Sequence, residues 1–180
     1  MRDGVHFIKV YDKLPIKPYL KMTVFEKYVS LPENASHWTP TLFTTAANNF
    51  FKIKQIANSI AYCGLVCKLC HFADSCDGCR SEKSCCGLRK TAEDCYQYNC
   101  CTEKGVDGCW QCDVAPCDKG MFSVSHDVRL RAFIKYIKEN GKDKLAERLY
   151  FNMQNGIYYG HGKDYDGIGS IDEVIKKLEG

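Results

Sequence analysis

The feature that most constrains this chain is the placement of its cysteines. All 13 of them lie between Cys63 and Cys117 in a chain of 180 residues. The count is odd, and the first 20 residues carry charged side chains and two prolines where a secretory signal needs an apolar run. We therefore expect a cytoplasmic protein with reduced thiols, in which dense cysteine indicates metal binding rather than disulfides.

Three pairs of cysteines have the spacing C-x2-C. They are Cys67 with Cys70, Cys76 with Cys79, and Cys109 with Cys112. Two intervening residues let a tight turn direct both sulfurs at one cation, as in tetrathiolate zinc sites. The pairs and their neighbours predict two or three zinc ions. The candidate ligands are Cys63, Cys67, Cys70, Cys76, Cys79, Cys95, Cys100, Cys109, Cys112 and Cys117.

The stretch YCGLVCKLCH, residues 62–71, fits two other metal motifs. Cys63, Cys67 and Cys70 have the C-x3-C-x2-C spacing of radical S-adenosylmethionine enzymes, although 180 residues leave little room for the barrel of such enzymes. Thiolate sites accept both zinc and iron, so an iron–sulfur cluster for electron transfer or redox chemistry stays open as an alternative. The C-x2-C-H haem motif ending at His71 is disfavoured, because such haem is normally attached outside the cytoplasm.

The distribution of charge and apolar residues argues against two classes of partner. Residues 61–120 carry 7 Lys and Arg against 9 Asp and Glu, a net charge of −2 before any thiol ionises. A zinc finger that binds nucleic acid needs basic side chains near its ligands, so nucleic-acid binding is not expected. No stretch approaches the roughly 20 apolar residues that span a bilayer, so no membrane association is expected.

Candidate catalytic residues are sparse. No Ser-His-Asp arrangement can be assembled from the sequence, and thiolate-closed zinc sites lack the open position of catalytic zinc. The sequence therefore favours a non-catalytic scaffold or interaction module with a protein partner. Redox or metal-trafficking chemistry through the spare cysteines Cys85, Cys86 and Cys101 is a further alternative.

The chain divides into three parts. Residues 1–60 form an N-terminal extension of uncertain structure, in which residues 44–60 suit a helix or a strand equally well. Residues 61–120 are the cysteine-rich segment, and residues 121–180 are the helical remainder of the same domain. Structural zinc contributes about 10–16 kcal/mol in small finger domains, against a total stability of about 5–15 kcal/mol for a typical domain. We therefore predict a small α-rich, metal-stabilised domain whose irregular zinc-knuckle segment packs on C-terminal helices.

Three helices are predicted in the last part. Leu130, Phe133, Ile134 and Ile137 form an amphipathic stripe, and Gly141 is a plausible helix stop. A second helix directs Leu145, Leu149 and Met153 inward. Ser170 and Glu173 form a capping box for a third helix, with Ile171, Val174, Ile175 and Leu178 on one face.

The glycine-rich stretch before the third helix lacks the spacing of a phosphate-binding loop. It predicts a flexible connection, in which His161, Asp164 and Asp166 are candidates for contact with a ligand.

The ordered motifs of the cysteine segment resemble a known family. They are YCGLVCKLC, CDGC, Cys95 with Cys100, Glu103-Lys104-Gly105, and CWQCDVAPC. In this combination they are similar to the bacterial and archaeal domain-of-unknown-function family 3795, over about residues 60–180. The resemblance implies cysteine-bound metal and no assigned reaction. It leaves Cys85, Cys86 and Cys101 as extras, and residues 1–59 without a counterpart.

Overall fold

The computed structural model describes residues 40–83, 86, 92–123 and 127–180. Contacts divide the chain into the units Met1–Phe51 and Lys52–Gly180, and the second unit holds every described cysteine. Of the first unit only residues 40–51 are described, so most of the predicted N-terminal extension lies outside the described residues. The boundaries at residues 60 and 120 stay predictions.

The regular structure of the described residues is helical. Five α-helices are present, and no strand occurs among these residues, although an antiparallel bridge pairs Ile60 with Val66. The helices are α1 Pro40–Asn58, α2 Tyr96–Glu103, α3 Asp127–Asn140, α4 Lys142–Gln154 and α5 Ile171–Glu179. Short 3-10 turns cover Cys67–Leu69, Ala92–Asp94, Cys109–Gln111 and Gly120–Ser123. The prediction of an α-rich fold is confirmed for this part of the chain.

Helix α1 resolves the ambiguity of residues 44–60. Ile53, Ile56 and Ala57 are buried at helical spacing, so the period of 3.6 prevails over the local alternation of apolar and charged residues. Pro40 occupies the first helical position, where its missing N–H leaves no hydrogen bond unmade.

Helices α3 and α4 follow the predicted stripes. Leu130, Phe133 and Ile134 are fully buried, as are Leu145 and Leu149, whereas Met153 is only half-buried. Gly141 separates the two helices with φ +85°, and its N–H donates to the carbonyl of Ile137 at 2.8 Å. This bond and the positive φ are those of a glycine that ends a helix, as predicted.

The start of α5 is capped as predicted. The Ser170 hydroxyl accepts a hydrogen bond from the N–H of Glu173 at 3.2 Å. Val174 and Leu178 are fully buried, so the predicted face of the helix points into the core. The end of α5 is held by buried Asn152 of α4, whose side chain donates to the carbonyl of Leu178 at 3.0 Å.

The hydrophobic core is continuous from α1 through the cysteine-rich segment to the C-terminal helices. The turns Cys109–Gln111 and Gly120–Ser123 both lie on α3, which confirms that the segment packs on these helices. Val66 and Trp110 contribute their side chains to the same core. Burial of apolar surface therefore supports the cysteine segment more than its composition indicates. Stabilisation by metal remains a proposal.

Among the helices of the described ranges, none is long and apolar enough to cross a lipid bilayer.

Candidate metal centre

Two of the three C-x2-C pairs adopt the predicted tight turn. The N–H of Cys70 donates to the carbonyl of Cys67 at 3.1 Å. The N–H of Cys112 donates to the carbonyl of Cys109 at the same distance. Each turn thereby holds its two cysteines close together, as a shared cation requires.

The third pair, Cys76 with Cys79, lies against the first. Gly78 within it has φ +88°, and a β-carbon added there would lie 3.0 Å from the sulfur of Cys67. The N–H of Cys79 donates to the Cys67 thiol. A side chain at position 78 would therefore press on the first pair, which explains why the turn uses glycine.

The 12 described cysteines separate into two groups, each of which lines its own cavity. The first cavity has a volume of about 180 Å³, and the second about 240 Å³. The first cysteine group is Cys63, Cys67, Cys70, Cys76, Cys79, Cys86 and Cys95. The second cysteine group is Cys100, Cys101, Cys109, Cys112 and Cys117. All ten predicted ligands belong to one group or the other.

Burial and crowding raise the pKa values of thiols in the first group. Burial is the largest cause at Cys63, Cys67 and Cys79, and it is reinforced at each by neighbouring cysteines. The pKa of Cys67 rises to about 12, with Cys79 and Cys70 as the main neighbours. Without a cation these thiols are neutral near pH 7, whereas a bound cation would favour their thiolate forms.

Two sulfurs of the second group lie close together. The sulfurs of Cys101 and Cys109 are 3.8 Å apart, and both residues are buried. Their hydrogen bond lowers the pKa of Cys101 and, together with burial, raises the pKa of Cys109. The pair therefore tends to share one proton between its sulfurs.

A lysine ammonium lies beside the same group. The amine of Lys104 is 3.4 Å from the sulfur of Cys112, and this hydrogen bond raises the pKa of Lys104. Lys104 is placed there by the end of α2, where Gly105 has φ +63° and the N–H of Val106 donates to the carbonyl of Cys101 at 3.0 Å. The Glu103-Lys104-Gly105 motif thus ends the helix and places a cation beside the sulfurs.

The backbone of Tyr62 connects the two cysteine groups. Its N–H donates to the thiol of Cys79 in the first group. Its carbonyl accepts from the N–H of Cys109 in the second group at 2.9 Å. Buried Gln97 lines both cavities and also fixes the chain near Met121, whose N–H donates to its side-chain oxygen at 3.1 Å.

The glycine-rich stretch before α5 forms one wall of the first cavity. The hydroxyl of Tyr159 accepts from the N–H of Val66 at 2.9 Å, between the first two cysteines of the group. Asp164 accepts from the N–H of Tyr158 at 2.7 Å, and Asp166 pairs with buried Arg129 at 2.9 Å. Both carboxylates therefore hold the loop in place, and of the three ligand candidates in this loop only His161 lines the cavity.

The donor chemistry fits zinc or iron, since both bind thiolates. Across the described ranges, however, no three His, Cys, Asp or Glu side chains lie close enough together to hold one metal ion. Metal binding therefore requires the sulfurs of each group to move closer together.

The sequence interpretation misses three residues that lie at or near the two cysteine groups: Cys101, Arg80 and Cys86. The family resemblance leaves Cys101 as an extra cysteine, yet it is buried against Cys109. The guanidinium of Arg80 favours the thiolate forms of both Cys79 and Cys101, and its position directly after Cys79 is the sequence signal for this role. Cys86 also lines the first cavity, and Cys85 lies outside the described residues.

The fold and the two groups define a cysteine-rich helical protein with candidate thiolate metal sites. Residues 73–121 match the family described as "Protein of unknown function (DUF3795)". The match confirms the resemblance over that segment, and outside it the resemblance stays a prediction. No curated protein and no solved structure gives a significant match to the chain.

Proposed function

We propose that the protein binds metal through cysteine thiolates, with zinc as the expected ion, and acts as a non-catalytic scaffold or interaction module. One observation carries this proposal: all ten predicted ligands fall into two groups, each around its own cavity. Sequence spacing alone did not require Cys63 and Cys95, 32 positions apart, to line the same cavity. A thiol-lined cavity in each group supports one metal site per group.

The charges near the sulfurs suit such sites. A zinc ion with four thiolates carries a net charge of −2, which nearby cations stabilise. Lys104 is positioned to do so in the second group. The guanidinium of Arg80 favours the thiolate forms of both Cys79 and Cys101, and therefore acts on both groups. When zinc is bound, it holds the thiolates together and stabilises the turns that carry them.

An iron–sulfur cluster is the second candidate, and the cysteine spacing of the first group favours it. Seven cysteines line the first cavity, among them Cys63, Cys67 and Cys70 with the C-x3-C-x2-C spacing. The second group has no such motif, so this alternative concerns the first group.

Purification of the full chain without oxygen, followed by a visible spectrum and metal counting, tests both candidates. A colourless protein with two or more zinc ions per chain supports the zinc proposal. Brown protein that contains iron and acid-labile sulfide supports the cluster. Protein that holds neither metal under reducing conditions overturns the proposed function.

A further inference from the structure

The spacing of one sulfur pair agrees with a shared ion. The sulfurs of Cys101 and Cys109 are 3.8 Å apart. Four sulfurs arranged as a tetrahedron at 2.3 Å from zinc are about 3.8 Å from one another. This pair therefore already has the separation of two ligands on one tetrahedral ion.

The backbone on both sides fixes this separation. The carbonyl of Cys101 accepts from the N–H of Val106 where α2 ends. The N–H of Cys109 donates to the carbonyl of Tyr62. The two residues are 2% and 7% exposed, so neither side chain is free to turn into solvent. The close approach is thus a property of the fold and not of a mobile surface side chain.

Five sulfurs line the second cavity, whereas a tetrahedral ion takes four. Cys100 and Cys101 are adjacent in α2, so their side chains leave the helix in directions about 100° apart. Cys101 is buried against Cys109, while Cys100 is only half-buried and interacts with the Lys104 ammonium. Of the two, Cys101 has the position that a ligand needs.

We infer that Cys101 binds the metal ion of the second group together with Cys109, and that Cys112 and Cys117 complete the set. Cys101 thus takes the role that spacing alone assigned to Cys100. The inference rests on the proposed function, because it presupposes a metal ion in this group. It makes Cys100 a half-buried thiol beside the site, next to Lys104.

The test compares the wild type with Cys101→Ser and, as matched control, Cys100→Ser at the neighbouring helix position. Each full-length protein is purified without oxygen and its metal content is measured. We expect Cys101→Ser to hold one ion fewer than the wild type, and Cys100→Ser to hold as many. Wild-type protein with metal and a Cys101→Ser variant with undiminished metal would overturn this inference alone. Wild-type protein without metal would overturn it together with the proposed function.

A measurement on the wild type avoids any folding defect of the variants. After exchange into the NMR-active isotope of cadmium, scalar couplings connect the ion to the β-protons of each cysteine that binds it. We expect a coupling to Cys101 and none to Cys100. A coupling to Cys100 without one to Cys101 contradicts the inference, as does a Cys101–Cys109 disulfide in protein kept under reducing conditions.

Discussion

Arg80 and Asp107 form an ion pair with a nitrogen–oxygen distance of 3.0 Å, although 27 positions separate them in the chain. Arg80 follows directly after Cys79 of the first group, and Asp107 lies two residues before Cys109 of the second. The guanidinium also donates to the carbonyls of Ile60 and Asp107, and it lies 4.1 Å from the centre of the Tyr62 ring. One side chain thus links the turns that carry the two groups.

We expect Arg80→Ala to lower the free energy of unfolding by about 2–4 kcal/mol, because it removes three hydrogen bonds and leaves a buried carbonyl unpaired. Urea unfolding of the reduced protein measures the change. Lys83→Ala is the control, since the Lys83–Asp77 pair is exposed and should contribute less than about 1 kcal/mol. Equal effects of the two substitutions would contradict the structural role of Arg80.

Gly78→Ala should weaken the first group specifically. It forces alanine to φ +88° and places a methyl group 3.0 Å from the Cys67 sulfur. Gly105→Ala is the matched control, because its φ is also positive and its new methyl group would meet nothing within 4 Å. We expect a loss of about 1 kcal/mol for Gly105→Ala from backbone strain alone, and about 2–3 kcal/mol for Gly78→Ala.

The rate at which a chelator removes metal is a second measurement that distinguishes the two glycine variants. Gly78→Ala should lose metal more readily to a chelator than Gly105→Ala does. If both lose it at the wild-type rate, then contact between residue 78 and Cys67 has no bearing on metal binding.

Asn152→Ala should destabilise the helical part of the protein by about 2 kcal/mol. The buried amide donates to the Tyr165 hydroxyl at 2.8 Å and to the Leu178 carbonyl at 3.0 Å, and alanine would leave these partners without their donor. Thermal unfolding measures the effect. Asn140→Ala removes only a local bond to the Tyr136 carbonyl and should change stability by under about 1 kcal/mol. A loss for Asn140→Ala as large as that for Asn152→Ala would count against this account.

Tyr136 should make stability depend on pH in the alkaline range. Burial, and then its hydrogen bond to Glu179, raises its pKa to about 12, above the value of about 10 in unfolded chains. A raised folded-state pKa means that the contribution to stability is complete below pH 10 and is lost as the pH rises towards 12. The stability difference between wild type and Tyr136→Phe should therefore narrow over this interval.

Urea unfolding at a series of pH values measures the stability of the wild type and of Tyr136→Phe. The difference between the two stabilities is free of the effect of thiol ionisation, which is common to both proteins. A difference that stays constant from pH 9 to about 12 would contradict the raised pKa of Tyr136.

Removal of metal should loosen the cysteine turns and leave the C-terminal helices folded. The core side chains of α3 to α5, such as Phe133, Leu149 and Val174, are buried within helices that contain no cysteine. After chelation, we expect hydrogen exchange to accelerate at the amides of Cys70 and Cys112 and to stay slow in α3. Loss of protection throughout the protein would show instead that metal supports the whole fold.

The C-terminal helices were predictable because their signals are local. The spacing of Leu130, Phe133 and Ile134, the stop at Gly141 and the cap at Ser170 each depend on residues within a turn or two of one another. The structure of α1 was not predictable, since alternation through Phe51 and Ile53 imitated a strand over a short stretch.

The grouping of the cysteines depends on contacts between distant parts of the chain. Spacing identified the pairs, but nothing in the sequence placed Cys95 with Cys63 or separated Cys95 from Cys100. That division arises because α2 carries Cys100 and Cys101 to the second cavity, while Cys95 precedes the helix and lines the first. Lys104 belongs to the Glu103-Lys104-Gly105 motif, but the sequence does not show that its amine lies beside the sulfur of Cys112.

The backbone hydrogen bonds of Tyr62 limit which fragment of the protein can be isolated, because Tyr62 lies outside the residues that match the family. A fragment of residues 73–121 would lack the hydrogen-bond partner of Cys109, three cysteines of the first group, and the face of α3 that covers Trp110. Such a peptide should not fold alone. The smallest fragment expected to fold alone therefore begins before Ile60 and extends through the C-terminal helices.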